Sequence, residues 1–184
     1  MSGNRNPALE VNASTRWPEV RSWVAAIVLG AGLATAAQGD DRRAMPPSVL
    51  PAYLQECASC HVAYPPGLLP VHSWQRLMGG LEGHYGSDAS LDAKTAQQIS
   101  AWLQAHAGTY RRVGEEPRED RITQSAWFER KHRKLDPEVW RLASVRSAAN
   151  CPACHAAADR GLFGDHDLRL PEGLAARHRR AWND

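Results

Sequence analysis

Hydrophobic residues recur along this chain mainly at the three- and four-residue spacing of one helix face. The clearest stripe lies in residues 90–108, where Ser90 is expected to cap the helix start and Gly108 to follow its end. No alternating strand pattern stands out. We therefore predict a mainly α fold with long irregular loops. The apolar stripes are Val49, Leu50, Tyr53 and Leu54; Trp74, Leu77, Met78 and Leu81; and Leu91, Ile99, Trp102 and Leu103.

Cap and turn signals predict the other elements. The segment 64–70 holds three prolines and a glycine, which makes it stiff and non-helical, and Ser73 is then expected to cap the next helix. Glycines around His84 indicate a tight bend there. The signals in the second half are Ser125 as a cap, Asp136-Pro137-Glu138 as a helix start, and Ala156-Ala157-Ala158 as a helix running to Gly161.

The amino-terminal segment, residues 1–44, has the pattern of an export signal. Arginines precede an apolar run from Trp23 to Ala37, which is shorter than the roughly 20 residues of a membrane span. Ala34-Thr35-Ala36 is a typical cleavage site. A cleaved signal is the favoured interpretation, and an uncleaved amino-terminal anchor, with membrane association, is the alternative.

A charged stretch divides the remaining chain. Residues 111–121 are rich in Arg and Glu and are predicted to be a linker. They separate a first unit at 45–110 from a second unit with a carboxy-terminal tail at 122–184. Each unit contains one copy of the motif described next.

The pentapeptide Cys57-Ala58-Ser59-Cys60-His61 returns as Cys151-Pro152-Ala153-Cys154-His155. Cys-x-x-Cys-His is typical of c-type haem attachment. Each thiol adds to one vinyl group of the same porphyrin, and the histidine that follows is held where its imidazole binds the iron. The two motifs use all four cysteines of the chain. We predict two covalently bound haem c groups, with His61 and His155 as proximal iron ligands.

Other uses of paired cysteines fit less well. A zinc ribbon places its two Cys-x-x-Cys pairs about 15–20 residues apart, whereas about 90 residues separate these two, and each carries an extra histidine. A thioredoxin-like dithiol belongs to a βαβ pattern, which does not appear here. Zinc and disulfide interpretations remain as alternatives.

The charge balance argues against nucleic acid as a partner. The formal net charge is +2, 43% of residues are hydrophobic, 23% are charged, and no basic stripe stands out. Two propionates on each haem would leave the loaded protein mildly acidic. A partner with a basic docking patch is favoured on that ground.

The sixth ligand of each iron decides the chemistry. His84 lies 23 positions after His61, and His132 lies 23 positions before His155. We favour His84 and His132 as distal ligands, with His106 and the sulfur of Met78 as alternatives. Two imidazoles saturate an iron and leave no position for a substrate. The other histidines, which are His72, His166 and His178, are expected at the surface.

The chain resembles the bacterial diheme cytochrome c family often called DHC. This resemblance implies a small helical c-type cytochrome with two haem-wrapping units, bis-histidine haems, and His84 and His132 as distal ligands. It runs from about Leu50 to Pro171. The matching residues are Tyr53-Leu54, Ala63 through Pro70, Ser73-Trp74, Gly80-Leu81, His84-Tyr85-Gly86, Arg121-Ile122-Thr123, Trp127-Phe128, His132-Arg133, Asn150 through His155, Arg160-Gly161 and Leu170-Pro171.

The residues and the resemblance together predict an electron carrier and not an enzyme. Proteins of the family are periplasmic or membrane-associated electron carriers. The resemblance implies a redox partner, either a small monohaem cytochrome c of the sphaeroides haem protein type or a membrane b-type cytochrome. The alternative is a haem enzyme with one open iron, such as a diheme peroxidase or an oxygen- or nitric-oxide-handling protein, with His106 or Glu82 as acid or base.

Overall fold

The computed structural model describes residues 44–110 and 112–182. This part of the chain is mainly α, as predicted, and contains no β-strand. The α-helices are Pro51–Cys57 (α1), Val71–Gly79 (α2), Ala93–His106 (α3) and Ala126–His132 (α4). The 3₁₀ turns are Pro66–Leu68, Leu81–Gly83, Arg118–Asp120, Ile122–Gln124, Val139–Arg141, Cys151–Ala153, Ala158–Arg160, Asp165–Asp167 and Ala176–Trp182.

The predicted export signal lies outside the described residues, except for Ala44. Within the described residues no helix is long and apolar enough to cross a membrane. Ala44 is only 2% exposed, and its carbonyl accepts a hydrogen bond of 2.9 Å from the Gly67 N–H. A side chain at position 67 would place its Cβ 2.7 Å from that carbonyl oxygen, so the close approach requires glycine. The packed chain therefore begins at least one residue before the predicted first unit.

Helix α1 carries the first thiol at its last residue. Pro51 occupies the first turn, where its fixed φ suits a helix and its missing N–H has no intrahelical partner to lose. Tyr53 is buried and donates its hydroxyl to the Tyr64 carbonyl at 2.5 Å, whereas Leu54 is exposed. The predicted stripe leading into Cys57 is thus helical, and Tyr53 rather than Leu54 anchors it to the core.

Two predicted helix caps are wrong. Helix α2 begins at Val71 after an extended Pro70, so Ser73 lies inside the helix and is fully buried. Helix α3 is capped by Asp92, whose carboxylate accepts from the N–H groups of Lys94 and Thr95, both at 3.0 Å. A carboxylate at this position is also stabilised by the positive end of the helix dipole. Ser90 instead donates its backbone N–H to Asp88.

The first half of the described chain has its own hydrophobic core. Helices α1, α2 and α3 pack around it, and the indole N–H of Trp74 is satisfied by the Pro66 carbonyl at 2.8 Å. Helix α3 ends where Ala107 becomes extended, and Gly108 follows at φ +65°, a left-handed conformation that suits glycine. The buried members of this core are Tyr53, Ala63, Leu69, Trp74, Ile99 and Leu103.

The second half of the described chain contains one α-helix. Ser125 caps α4 as predicted, accepting from the Phe128 N–H. The two other helices predicted here form only short 3₁₀ turns, because the backbone turns extended at Leu142 and left-handed at Gly161. Its fully buried apolar side chains are few and small, namely Val139, Val145, Ala157 and Ala158. This half therefore has little protein core of its own.

The predicted linker packs against α2. Arg76 donates from Nε and Nη2 to the two carboxylate oxygens of Asp120, at 2.8 and 2.6 Å, and Nη2 also reaches Glu116 at 2.8 Å. The Asp120 side chain is 14% exposed and that of Glu116 44% exposed. These bonds hold the pKa of Asp120 below its ordinary value of 3.8. Independent folding of the two predicted units stays a prediction.

We expect Asp120→Asn to lower the free energy of unfolding by about 1 kcal/mol at pH 7, because a charge-assisted hydrogen-bond pair to a half-exposed arginine is lost. A depressed folded-state pKa stabilises the fold above the ordinary pKa and loses that effect as the pH falls below it. The difference from wild type should therefore shrink as the pH is lowered from about 4.

Asparagine tolerates the left-handed φ of +53° at position 120, so backbone strain is not introduced. Glu116→Gln is the matched control, since it meets the same guanidinium from a more exposed position and should cost less. Thermal unfolding at pH 7 and pH 3 measures both. Equal effects of Asp120→Asn at the two pH values would contradict the assignment.

Candidate functional site

The first motif is placed by α1 and the turn after it. Cys57 is the last residue of the helix, and Cys60 and His61 follow within one turn. The Ser59 hydroxyl bonds the Glu56 carbonyl at 2.9 Å and tightens this turn. His61 Nδ1 lies 2.7 Å from the Val62 carbonyl oxygen. A proton on Nδ1 satisfies that contact, which leaves Nε2 with a free lone pair for a metal.

His84 lies in a tight turn that faces this motif. The Ser87 N–H returns to the His84 carbonyl at 3.0 Å, with Tyr85 at φ +49° and Gly86 at φ +92° between them. The Tyr85 hydroxyl donates to the Glu119 carbonyl at 3.0 Å, and the Arg121 guanidinium lies 4.0 Å from the centre of the Tyr85 ring. The linker thus holds the turn from outside, and the predicted bend at His84 is present.

The rings of His61 and His84 are paired. Their centres lie 6.2 Å apart, with 29° between the ring planes. His84 Nδ1 is buried with no hydrogen-bond partner in 44–110 or 112–182, so this ring is not held as an ordinary core histidine. Burial and the neighbouring charges of His61 and Arg121 lower the pKa of His84, which favours the neutral imidazole that binds metals.

The second motif is met by the end of α4. His132 is the last residue of that helix, and its Nδ1 lies 2.9 Å from the Phe128 carbonyl oxygen, so Nε2 is again left for a metal. The Phe128 ring stacks on His132 with centres 3.9 Å apart, and Trp140 lies on it at 5.9 Å. Burial lowers the pKa of His132.

His155 is held in place by a backbone segment that crosses the second motif. The Ala156 N–H donates to the Asp167 carbonyl at 3.0 Å, and the Arg169 N–H donates to the Cys154 carbonyl at 2.8 Å. The rings of His132 and His155 have centres 6.2 Å apart and planes at 75°. Burial and the closeness of His132 lower the pKa of His155. This is the same ring separation as in the first pair, reached by different elements.

Both separations fit one iron between two imidazoles. A metal–imidazole nitrogen bond is about 2 Å long, and the ring centre lies about 1 Å further out, so two rings on opposite sides of one metal have centres about 6 Å apart. Each pair also has two thiols beside its proximal histidine. The residues present therefore fit a covalently attached haem at each motif.

A cavity of about 700 Å³ surrounds the second pair. This volume is within the range of about 300–1,000 Å³ that is typical of cofactor sites. The Trp127 indole N–H is buried along it with no hydrogen-bond partner among the described residues, and it is a candidate donor to a polar group of the cofactor. The principal lining residues are Trp127, Phe128, His132, Trp140, Cys151, Cys154, His155 and Phe163.

The other candidate ligands are engaged elsewhere. His106 Nδ1 bonds the Trp102 carbonyl at 2.8 Å, as His132 bonds that of Phe128, but its ring contacts Trp102 and not a motif histidine among the described residues, and Met78 packs beside the first hydrophobic core. His72 bonds the Gln75 side chain and is exposed, as predicted, and His166 is also exposed. The prediction for His178 is wrong, because its side chain is 10% exposed and lies 3.4 Å from a Glu138 carboxylate oxygen.

The alternative uses of the cysteines gain no support. All four thiols are free in the described chain, and no group of three or more metal-ligating side chains forms there. Burial raises the pKa of Cys57 and of Cys151 to about 11, so both thiols are protonated at neutral pH when nothing is bound to them. A protonated thiol is no obstacle to thioether formation.

Tyr64 lies between the two sites. Its ring stacks on His61 with centres 4.8 Å apart, and its hydroxyl donates to the Ala149 carbonyl at 2.7 Å. The same side chain lines the cavity of the second pair. Burial and the nearby Cys151 raise the pKa of Tyr64, so the hydroxyl stays neutral. The two sites therefore share one wall.

Comparison with known proteins assigns the family. The family model for dihaem cytochrome c matches residues 53–163. The chain is 42% identical to DHC from Rhodobacter sphaeroides, a solved structure, over 63% of this chain and 98% of that one, with a TM-score of 0.55. It is 34% identical to a diheme cytochrome type c from Shewanella baltica OS155, over 66% and 93%, with a TM-score of 0.59. Comparison with curated proteins found no match.

The fold and the two motifs define a c-type cytochrome. The chain belongs to the dihaem cytochrome c family. It carries two covalently bound haem c groups, as the motifs predict, and the family resemblance read from the sequence is confirmed.

Several residues of these sites make contacts that the sequence did not predict. Phe163 and Trp140 contact the histidines of the second pair, and Arg121 and Tyr85 brace the His84 turn. Tyr85 and Arg121 stand in the family resemblance, but nothing in the local pattern of these four residues indicates which side chain each one contacts. Tyr64 did stand in the resemblance, but its place between the two sites follows only from the fold.

Proposed function

We propose that this protein is an electron carrier whose two haems each have two histidine ligands, His61 with His84 and His132 with His155. The observation that supports this most strongly is the equal ring separation of 6.2 Å in both pairs. When bound, each haem supplies a one-electron iron couple. The four histidines would hold the two irons, and two imidazoles on each iron would favour the ferric state and leave no place for a substrate.

The surroundings of the pairs suit electron transfer. Carbonyl groups of Val62 and Phe128 fix one imidazole of each pair, so the ligands need not reorganise when the charge of the iron changes. Tyr64, in contact with both sites, provides a continuous packed path between them. The enzyme alternative is weaker, because the His106 ring lies against Trp102 and contacts neither histidine pair among the described residues, and Glu82 is exposed.

The cellular setting is also part of the proposal. Family members of the cytochrome c type are typically exported, which accords with the export signal predicted for residues 1–44. We place the protein in the periplasm. Its proposed partners are a small monohaem cytochrome c of the sphaeroides haem protein type or a membrane b-type cytochrome.

Exposure of the reduced protein to carbon monoxide tests this function. We expect the visible spectrum to stay unchanged over seconds, because both axial positions are filled, while chemical oxidants and reductants cycle the protein through two electrons per chain. Rapid formation of a carbon monoxide adduct at either haem would favour the enzyme alternative.

A further inference from the structure

The end of α4 carries a concentrated positive charge. Arg130, Lys131, Arg133 and Lys134 flank the ligand His132 on both sides, and we call these four residues the basic collar. All four are exposed, and all four line the cavity of the second site. The expectation of no basic stripe is wrong here, because residues 130–134 form a contiguous basic run that the small net charge of the whole chain conceals.

Among the described residues, three of the four collar side chains have no carboxylate partner. The Arg130 and Arg133 guanidinium groups there reach backbone carbonyls, of Ala126 at 3.4 Å and of Arg130 at 3.2 Å. Among the described residues, neither arginine nor Lys131 has a carboxylate within ion-pair distance. By contrast, Arg76 and Arg177 elsewhere on the surface are paired with Asp120 and Glu138.

Neighbouring segments add to the positive field. The carboxy-terminal turn, whose Ala181 and Trp182 line the same cavity, carries the exposed Arg179 and Arg180. Asp165 is the one carboxylate that lines the cavity within the described residues. The first site differs, because Arg121 beside its distal turn is paired with Glu119, and Glu82 and Asp88 flank that turn in sequence.

We infer that the basic collar is the docking surface for a one-electron redox protein whose own cofactor is surrounded by carboxylates. The inference rests on the proposed electron-carrier function. In the docked pair one electron passes between the partner's redox centre and the second haem, one being oxidised as the other is reduced, with no bond formed or broken. Exposed charges act over a Debye length of about 8–10 Å, so the collar outweighs the small net charge of the chain.

This reverses the expectation from overall charge, which favoured a partner with a basic patch. The position of the charge is what matters, because the collar flanks His132 at the end of α4. A partner held there has its redox centre close to the second haem, and its carboxylates need not approach the first.

The three lysines of the chain allow a direct test by cross-linking. Lys131 and Lys134 belong to the collar, whereas Lys94 is exposed at the start of α3. We would treat the full holo-protein with a carbodiimide and a plant-type [2Fe–2S] ferredoxin, an acidic one-electron donor, at low salt. Cross-linked peptides should contain Lys131 or Lys134. The inference would be overturned by cross-links at Lys94 instead, or by the absence of any cross-link that added salt suppresses.

Charge reversal gives the kinetic test. Lys131→Glu should slow reduction by the ferredoxin by about tenfold at low ionic strength, and the difference should vanish in high salt. Lys94→Glu, the matched control, should react as wild type. Lys131→Gln should show a smaller slowing. An unchanged ferric spectrum of Lys131→Gln would show that His132 remains in place.

Other outcomes separate this inference from the proposed function. Dithionite, a small reductant, should reduce both haems in every variant, and failure to do so would count against the carrier function itself. If dithionite succeeds and the ferredoxin rate ignores the collar, only the docking surface is wrong. Two further results would overturn the docking surface. In the first, the collar variants change the reduction potential of the second haem but not the association with ferredoxin. In the second, they change binding to anionic lipid vesicles but not the rate of reduction by ferredoxin.

Discussion

Replacing His84 with alanine should convert one of the two ferric irons from low spin to high spin and raise its reduction potential. The physical reason is the loss of one of two imidazoles that together favour the ferric state. The reduced variant should then bind carbon monoxide at one haem per chain. Optical spectroscopy of the ferric protein, with and without reductant and carbon monoxide, measures all three changes.

The same change at the second site, His132→Ala, should open the other iron and leave the first pair intact. His106→Ala is the matched control, since His106 is also half-buried and also bonds a carbonyl one helical turn back, yet faces Trp102. Its spectrum should stay low spin. A low-spin spectrum that survives His84→Ala, or high spin produced by His106→Ala, would show that the distal ligand is misassigned.

Removing the second pair of thiols, by Cys151→Ser with Cys154→Ser, should disorder much of the chain after α4. The fully buried apolar side chains of that region are small, and its cavity is lined by aromatic groups that would pack around the cofactor. Burying one large apolar side chain contributes about 1.5–3 kcal/mol, so the loss over Phe128, Trp140 and Phe163 approaches the whole stability of a small domain. The region should become sensitive to protease.

The matched variant, Cys57→Ser with Cys60→Ser, should lose the first haem and do less damage. The first half keeps a protein core of its own around Leu69, Ile99 and Leu103. Limited proteolysis followed by mass spectrometry compares the two variants and identifies which haem each retains. Loss of both haems from either variant would contradict the prediction of two units.

The attachment residues could be predicted from sequence because the motif is contiguous and its chemistry fixes the spacing. The distal histidines are harder, since loops can deliver a residue anywhere. Equal spacing and the family resemblance pointed to His84 and His132, and the structure places their rings beside His61 and His155. The further contacts of Phe163 and Tyr64 depend on long-range packing that no local pattern records.

Local signals failed where two residues compete for one role. Ser90 and Asp92 are both good caps, and only the hydrogen bonds to Lys94 and Thr95 select Asp92. Asp136-Pro137-Glu138 signals a helix start but not its length. Helix nucleation is costly, and a short segment that packs on a cofactor rather than on a neighbouring helix gains little from extending it.

Electron paramagnetic resonance of the ferric protein tests the paired-histidine arrangement most directly. The two imidazole planes differ by 29° at the first site and by 75° at the second. Nearly parallel rings split the iron d-orbitals and give a rhombic low-spin signal, whereas nearly perpendicular rings leave two orbitals close in energy and give a low-spin signal with a much larger maximum g value. We predict both signals in equal amounts. A high-spin signal that integrates to one or more irons per chain would contradict the arrangement.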